Sequence, residues 1–360
     1  MKVLTRSSLT DLRSFQPELA DLPIEEIRHR LGTQRVVKLS LNENPYGPSP
    51  RAIEAMQAEL AAMHLYQDAT ADCLRAALAP DLGVQPHQII LTNGADELIL
   101  LVALAFLDPD DEVIIPSPTF GQYGASTIAM GAKPIQIPLE DFRIDVDGIL
   151  KMVTSRTKMV FVCNPNNPTG TIVTQEELAY LVDQLPHDIL LVVDEAYIDY
   201  VTDPGYASAL DYLGKREALL VIRTFSKLHG LAAARVGYGI SHTSIIDGLH
   251  RVRPPFNVNR VAQAGALASW HDTAYQAKMR DLNTANRQYL YDILTSSRLS
   301  YIPSQTNFVL ADTHQEAAHV YKELETEGII VRDATLFGLP QHLRITVGRE
   351  EDLAWLEKVL

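Results

Sequence analysis

Five short apolar runs constrain the fold of this chain more than any other feature of its sequence. They alternate with segments of helical periodicity and fall at residues 89–92, 112–115, 159–162, 190–193 and 219–222. Runs this apolar are expected when helices cover both faces of a sheet, which is typical of mostly parallel sheets. The central region is therefore predicted to be an α/β domain.

A second, smaller α/β domain is predicted from the two ends of the chain. The length of 360 residues is sufficient for two domains. Beyond residue 259, long helical patterns are followed by apolar runs at 307–310, 329–332 and 343–347, and Pro254-Pro255 interrupts the chain before them. We place the large domain at residues 46–255 and the small domain at residues 1–45 together with 256–360.

Composition excludes several classes of protein. The net charge of -14 argues against nonspecific binding to nucleic acid or to membranes. The longest apolar stretch, 98–107, is far shorter than the roughly 20 residues that a membrane span needs and is predicted to be a buried helix. Two cysteines, Cys73 and Cys163, cannot form a disulfide framework or a four-cysteine zinc site, so a cytoplasmic location is expected. The 11 histidines lack metal-ligand spacing, so no metal is expected.

Polar residues follow four of the five apolar runs. They are Asn93 to Asp96, the segment 164–170 with the sequence Asn-Pro-Asn-Asn-Pro-Thr-Gly, Asp194-Glu195 and Arg223-Thr224. Ligands of open α/β sheets bind outside the carboxyl ends of the strands. We therefore expect these positions to converge on one crevice.

Lys227 is the candidate for covalent chemistry. It ends the motif Thr224-Phe225-Ser226-Lys227, and Arg235 follows eight residues later. A lysine beside small hydroxyl residues can bind an aldehyde cofactor as a Schiff base, and the hydroxyl groups and the arginine can bind its phosphate. The motif alone is weak evidence, because most lysines are solvated surface residues.

Asp194 is the candidate partner for a cofactor ring. It follows an apolar strand, where a carboxylate must be matched by a proton or a cation. The pyridinium nitrogen of pyridoxal phosphate would supply that cation, and Asp194 would keep the ring an effective electron sink. The alternative is an ordinary helix N-cap. Tyr197 and Asn167 could reach the ring oxygen, although the segment around Asn167 is also a good turn sequence.

A phosphate site is predicted at the start of the apolar helix. Backbone N–H groups of Gly94, Ala95 and Asp96 could bind a phosphate at the helix N-terminus, completed by Thr224, Ser226 and Arg235. Phe120 could stack on the cofactor ring, although an isolated phenylalanine is more often a core residue. A dinucleotide site is disfavoured, because His242 stands where Gly-x-Gly-x-x-Gly needs its third glycine.

Together these motifs resemble the fold-type I pyridoxal phosphate enzymes of the aspartate aminotransferase superfamily. The resemblance covers nearly the whole chain and depends on the motifs at 164–170, 194–197 and 226–227 and on Arg235, in that order. Within the superfamily the chain is similar to the histidinol-phosphate aminotransferase family. The matching segments are 41–48, with the sequence Leu-Asn-Glu-Asn-Pro-Tyr-Gly-Pro, and 93–97, 331–333 and 343–348.

The resemblance implies a homodimer with active sites at the interface, in which Tyr66 reaches the cofactor phosphate and substrate of the neighbouring subunit. It assigns Lys227 as the covalent attachment point and proton carrier, with Asp194 and Tyr197 beside it. It assigns Arg332 and Arg344, with Asn167, to the substrate. The implied reaction transfers an amino group by a ping-pong mechanism from L-histidinol phosphate to 2-oxoglutarate, which gives imidazole-acetol phosphate and glutamate.

Two departures from the family pattern leave alternatives open. The family commonly has Pro-Tyr and later Pro-Gly near the N-terminus, where this chain has Ser14-Phe15-Gln16-Pro17-Glu18, and Gln67 replaces the usual proline after Tyr66. The missing phenolic hydroxyl is compatible with an aromatic amino acid aminotransferase. A decarboxylase of a phosphorylated amino acid would use the same cofactor. A transcription regulator of this fold would need a DNA-binding module, and the sequence has no basic recognition segment.

Overall fold

The computed structural model describes residues 5–10, 12 and 16–360. Ser14 and Phe15, in the first departure from the family pattern, lie outside the described residues. The strands are β1 (Val37–Lys38), β2 (Ile89–Thr92), β3 (Glu112–Ser117), β4 (Lys133–Pro138), β5 (Thr157–Cys163), β6 (Leu190–Asp194), β7 (Leu219–Thr224), β8 (Gly237–Ser241), β9 (Ser300–Ile302), β10 (Phe308–Asp312), β11 (Ile329–Ile330), β12 (Arg332–Asp333) and β13 (His342–Thr346).

The α-helices surround these strands. They are α1 (Ile24–Leu31), α2 (Pro50–Glu59), α3 (Asp72–Leu82), α4 (Gly94–Phe106), α5 (Gln122–Met130), α6 (Val146–Lys151), α7 (Gln175–Gln184), α8 (Thr243–Val252), α9 (Arg260–His271), α10 (Thr273–Ser296), α11 (Ala317–Thr326) and α12 (Glu350–Val359). Within the described segments, none of them combines the length and the apolar character needed to cross a bilayer.

The central sheet has seven strands in the order β2-β8-β7-β6-β5-β3-β4. All neighbours are parallel except β8, which runs antiparallel to both β2 and β7. The predicted mostly parallel α/β sheet is thus confirmed, and the five apolar runs coincide with β2, β3, β5, β6 and β7. The strands β4 and β8 are additions that the apolar runs did not indicate.

Both faces of the central sheet are buried, which explains why its strands lack polar alternation. In β5, Val160 and Val162 join one apolar cluster, whereas Met159 and Phe161 join the cluster on the other face. The predicted buried helix is α4, whose Leu98 and Val102 are fully buried. That prediction needs a correction, because Leu100 and Leu104 on its outer face are 45% and 48% exposed.

The C-terminal strands form a separate four-stranded antiparallel sheet in the order β12-β13-β10-β9. The two chain ends meet where β1 pairs in parallel with β11. The domain limits at 45/46 and 255/256 stay a prediction. Helix α9 lies beyond the second limit, and its Ala262 and Ala266 are buried in the same cluster as residues of the central sheet.

Candidate active site

The carboxyl ends of β5, β6 and β7, with the loops that follow them, bring three predicted site residues to one edge of the central sheet. Asp194 ends β6, and its backbone is in register with Cys163 at the end of β5. Asn167 lies four residues beyond β5, and Lys227 lies three residues beyond β7. The expected convergence at the carboxyl ends of parallel strands therefore occurs.

Lys227 presents its amine between the central sheet and the N-terminal segment. Its Nζ lies 3.4 Å from the carbonyl oxygen of Leu41 and 5.4 Å from the centroid of the Tyr197 ring. Burial, with the positive charge of Arg344, lowers the pKa of the Lys227 amine to about 8. Near neutral pH a useful fraction of this amine is uncharged, as a nucleophile or proton acceptor must be.

Asp194 is a buried carboxylate without a cationic partner among the described side chains. Its Oδ2 accepts a hydrogen bond from the Tyr123 hydroxyl at 2.7 Å, and its Oδ1 accepts one from the Ala196 amide at 3.0 Å. Burial raises the pKa of Asp194 to about 6, although the Tyr123 hydrogen bond opposes the shift. A ligand cation placed here would remove the cost of burying the charge. The N-cap alternative is wrong, because Asp194 is the last residue of a strand and the next α-helix begins at Thr243.

Tyr123 is a site residue that the sequence reasoning missed. Its ring stacks on Phe161 at a centroid distance of 4.6 Å, and the whole side chain is buried. Phe120, which was predicted to stack on a cofactor ring, packs edge-on against Tyr123 at 5.7 Å. From sequence alone, a tyrosine in a helix is interpreted as a core residue. The only signal of a polar role is that a buried tyrosine hydroxyl needs a hydrogen-bond partner.

The N-terminus of α4 forms an anion cup with Arg235. Gly94 has φ +79°, and a Cβ there would overlap the Arg235 guanidinium. The Arg235 Nη2 donates to Asp96 Oδ2 at 3.0 Å. Helix N-terminal amides and a guanidinium together make a site for phosphate.

The two hydroxyl residues of the predicted phosphate site lie at the end of β7 and in the loop that follows it. Thr224 and Ser226 are both buried, and the Ser226 amide donates to Thr224 Oγ1 at 3.0 Å. The first residue of β8, Gly237, packs so closely on α4 that a Cβ on it would lie 2.6 Å from the Ala95 amide nitrogen. Glycine at 237 thus lets β8 bring Arg235 to the helix terminus.

Arg344, on β13 of the four-stranded sheet, extends to the same edge of the central sheet. Its Nη1 donates to Asn167 Oδ1 at 2.6 Å, and its Nη2 donates to the carbonyl oxygen of Ser40 at 2.7 Å. Burial lowers the pKa of Arg344 to about 10. Tyr197 is tied to the same region, because its hydroxyl accepts from Asn42 Nδ2 at 3.0 Å. Asn42 lies in the motif at 41–48 but was not named as a site residue.

Arg332 and Tyr66 are placed differently. Arg332 is the direct cross-strand neighbour of Arg344, but its guanidinium is paired with Asp21. Tyr66 is 80% exposed and packs against Phe256 with ring centroids 4.6 Å apart and the ring planes tilted by 30°. Within one chain the described contacts of Tyr66 therefore lie at the surface and not in the cup.

These features define an α/β enzyme site with an amine nucleophile, a buried carboxylate and an anion cup. Residues 34–358 match the family described as aminotransferase class I and II. The chain therefore belongs to the class I and II aminotransferase family.

Individual relatives agree with this assignment. The chain is 42% identical to a histidinol-phosphate aminotransferase from Moorella thermoacetica over 93% of its own length and 87% of the relative. It is 41% identical to one from Caldicellulosiruptor saccharolyticus over 95% of each chain. The crystal structure of the histidinol-phosphate aminotransferase from Sinorhizobium meliloti in complex with pyridoxal-5'-phosphate superposes with a TM-score of 0.88, at 26% identity over 97% of each chain.

Proposed function

We propose that this chain is a pyridoxal phosphate-dependent histidinol-phosphate aminotransferase of histidine biosynthesis. The observation that carries the proposal is the placement of Lys227, Asp194 and the Gly94–Arg235 cup at one edge of the sheet. The substrate half of the proposal is supported by relatives of that name at 41% and 42% identity over more than nine-tenths of the chain. A cytoplasmic location is part of the proposal.

The side chains fit pyridoxal phosphate at each of its polar groups. The cup would hold the phosphate, Asp194 would pair with the ring nitrogen, and Lys227 would bind the aldehyde carbon. The remaining assignments are Phe120 against the ring, Asn167 and Tyr197 at the ring oxygen, and Ala95, Asp96, Thr224 and Ser226 with Gly94 and Arg235 at the phosphate. When bound, the cofactor supplies an electron sink for the carbon from which a proton is removed.

The residues of the chain then have separate tasks in amino transfer. The Lys227 amine, with its pKa lowered to about 8, would move a proton between the substrate carbon and the cofactor carbon. Asp194 keeps the ring nitrogen protonated, and Tyr123 holds the Asp194 carboxylate in place. Arg344 binds an anionic group of the substrate, since its buried Nε has no hydrogen-bond partner among the described residues.

Two substrates alternate in the proposed site. L-Histidinol phosphate leaves as imidazole-acetol phosphate, and 2-oxoglutarate leaves as glutamate. A guanidinium fork suits both, because carboxylate and phosphate each offer paired oxygens. Arg344 and Arg332 are the proposed guanidinium forks. Asn167, and Tyr66 from a neighbouring subunit, complete the proposed substrate site.

The substrate assignment is tested by comparing kcat/KM for L-histidinol phosphate and for L-phenylalanine, with 2-oxoglutarate as acceptor in both cases. We expect a preference for histidinol phosphate of at least about a hundredfold, which is roughly 2.7 kcal/mol of transition-state discrimination. An equal or larger value for phenylalanine would contradict the proposal and would identify an aromatic amino acid aminotransferase.

We also propose a homodimer in which Tyr66 contributes to the neighbouring active site. Large apolar side chains are exposed in the segment that contains it: Leu60, Met63 and Leu65 are 57%, 57% and 56% exposed beside Tyr66 at 80%. A cluster along the chain of exposed large apolar side chains is typical of an interface, and closed two-fold dimers are the commonest assemblies. Sedimentation equilibrium at micromolar concentration measures the assembly directly.

The cup predicts a specific loss of cofactor binding in Gly94→Ala. The new Cβ would overlap the Arg235 guanidinium, and φ +79° is costly for alanine, so we expect the dissociation constant of pyridoxal phosphate to rise at least about tenfold. Titration of the cofactor-free protein measures it. Gly124→Ala, at a helical glycine with nothing within 4 Å of a new Cβ, is the matched control and should bind normally. Equal affinity in the two variants would contradict the cup.

A further inference from the structure

The N-terminal segment places carboxylates on Arg332. Asp21 Oδ1 forms an ion pair with Arg332 Nη2, and Glu18 Oε2 lies 3.5 Å from Nη1. The Arg332 side chain is 9% exposed and the Asp21 side chain 16%, whereas Glu18 is 51% exposed. Asp21 is therefore the main partner. Burial acts to raise the pKa of the Asp21 carboxyl, but the Arg332 hydrogen bond and charge hold it below its ordinary value.

Local structure fixes Asp21 in this position. It ends the short 3₁₀ turn Leu19–Asp21, where its Oδ2 accepts from the Glu18 amide at 3.0 Å. The turn is anchored because Ala20 is buried and its carbonyl oxygen accepts from the Ser40 hydroxyl at 2.7 Å. The carbonyl oxygen of Ser40 in turn accepts from Arg344. One residue thus joins the Asp21 turn to the substrate arginine.

Arg332 and Arg344, which face each other across β12 and β13, differ in how their charges are compensated. Arg332 has a carboxylate partner, whereas Arg344 donates to the neutral oxygens of Asn167 and Ser40. Cross-strand neighbours on one face lie close together, so a single anion longer than a carboxylate can reach both guanidinium groups. To form its own ion pair with Arg332, that anion must displace the Asp21 carboxylate.

We propose that Asp21 is a specificity-determining residue, an internal anion that competes with the phosphate of the substrate for Arg332. The proposal rests on the proposed function. Histidinol phosphate carries its phosphate beyond a methylene and an ester oxygen, where an amino acid carries a carboxylate directly on the reacting carbon. The phosphate therefore extends from Arg344 towards Arg332, whereas the carboxylate stops at Arg344. Asp21 weakens the binding of phosphorylated substrates and leaves that of simple amino acids unchanged.

The test is steady-state kinetics of the holoenzyme with Asp21→Asn. Asparagine can still accept from the Glu18 amide, but it removes the charge that competes for Arg332. We expect KM for L-histidinol phosphate to fall at least about fivefold, with kcat within about twofold of the original protein. The KM of L-phenylalanine, or its inhibition constant if turnover is too slow, should change less than about twofold.

Glu26→Gln is the control. It also removes one negative charge, from helix α1, but Glu26 pairs with Arg30 and not with Arg332. It should change neither constant. An unchanged or higher KM for histidinol phosphate in Asp21→Asn would overturn the proposal and make Asp21 a support for Arg332. Equal falls for both substrates would also overturn it, because they would indicate a general charge effect.

Inorganic phosphate provides a readout that separates this proposal from the proposed function. As a competitive inhibitor of the holoenzyme, measured against whichever amino donor is turned over, it should bind Asp21→Asn at least about fivefold more tightly than the original protein. If the original protein does not turn over histidinol phosphate, the proposed function fails. If it does, and inhibition by phosphate is the same in both proteins, only the role of Asp21 fails.

Discussion

Lys227→Ala is expected to abolish multiple-turnover amino transfer, lowering kcat/KM by about 10⁴-fold or more. The variant loses the amine that we propose as both nucleophile and proton carrier. The lowered pKa of the Lys227 amine matches it to proton transfer near neutral pH. The rate is measured with histidinol phosphate and 2-oxoglutarate.

The matched control is Lys151→Ala, which removes an exposed lysine at the end of α6. That variant should keep the activity of the original protein. Loss of activity in Lys227→Ala should occur with an unchanged far-UV circular dichroism spectrum. Normal turnover by a folded Lys227→Ala protein would refute the assigned role of the amine.

Asp194→Asn is expected to reduce activity strongly and, at the same time, to stabilise the cofactor-free protein above pH 6. In the folded protein burial raises the pKa of Asp194 from 3.8 to about 6. The folded state therefore binds more protons than the unfolded state between these values, and the free energy of unfolding falls as pH rises through this window. The loss is up to about 3 kcal/mol. Asparagine has no such titration.

The geometry allows the asparagine to keep both local contacts. Its Oδ1 can accept from the Ala196 amide, and its Nδ2 can donate to the Tyr123 hydroxyl oxygen. Urea unfolding of the cofactor-free proteins from pH 4 to pH 8 measures the difference, with Asp183→Asn on the exposed side of α7 as the control. A variant that is less stable than the original protein at pH 7.5 would show that the Asp194 charge is already compensated in the free protein.

Sequence patterns predicted the core of the fold because burial on both faces leaves a strong signal. They missed β4 and β8 for two different reasons. The strand β4 lies at the sheet edge, and its Lys133, Gln136 and Pro138 are polar or break the apolar pattern. In β8, Gly237 and Gly239 interrupt the apolar pattern where the backbone packs closely on its neighbours.

The candidate site was predictable where its residues stand in continuous motifs. Lys227, Asp194 and Arg235 each lie in such a motif, and the structure places them at one sheet edge. Tyr123 and Asp21 could not be found in this way, because their partners lie 71 and 311 residues away in the chain. Such contacts depend on the packing of helices and on the meeting of the two chain ends. Neither the helix packing nor the meeting of the chain ends can be predicted from a short stretch of sequence.

The antiparallel strand β8 also determines when the anion cup can exist during synthesis. Residue 237 is in register with Thr92, so Arg235 is held over Gly94 only after β8 has paired with β2. These two strands are separated in the chain by the parallel strands β3 to β7. A nascent chain that has not yet exposed Ser241 therefore contains the helix terminus without its arginine. The cup is completed by the last strand of the central sheet to leave the ribosome, so the proposed phosphate site forms only after the sheet has assembled.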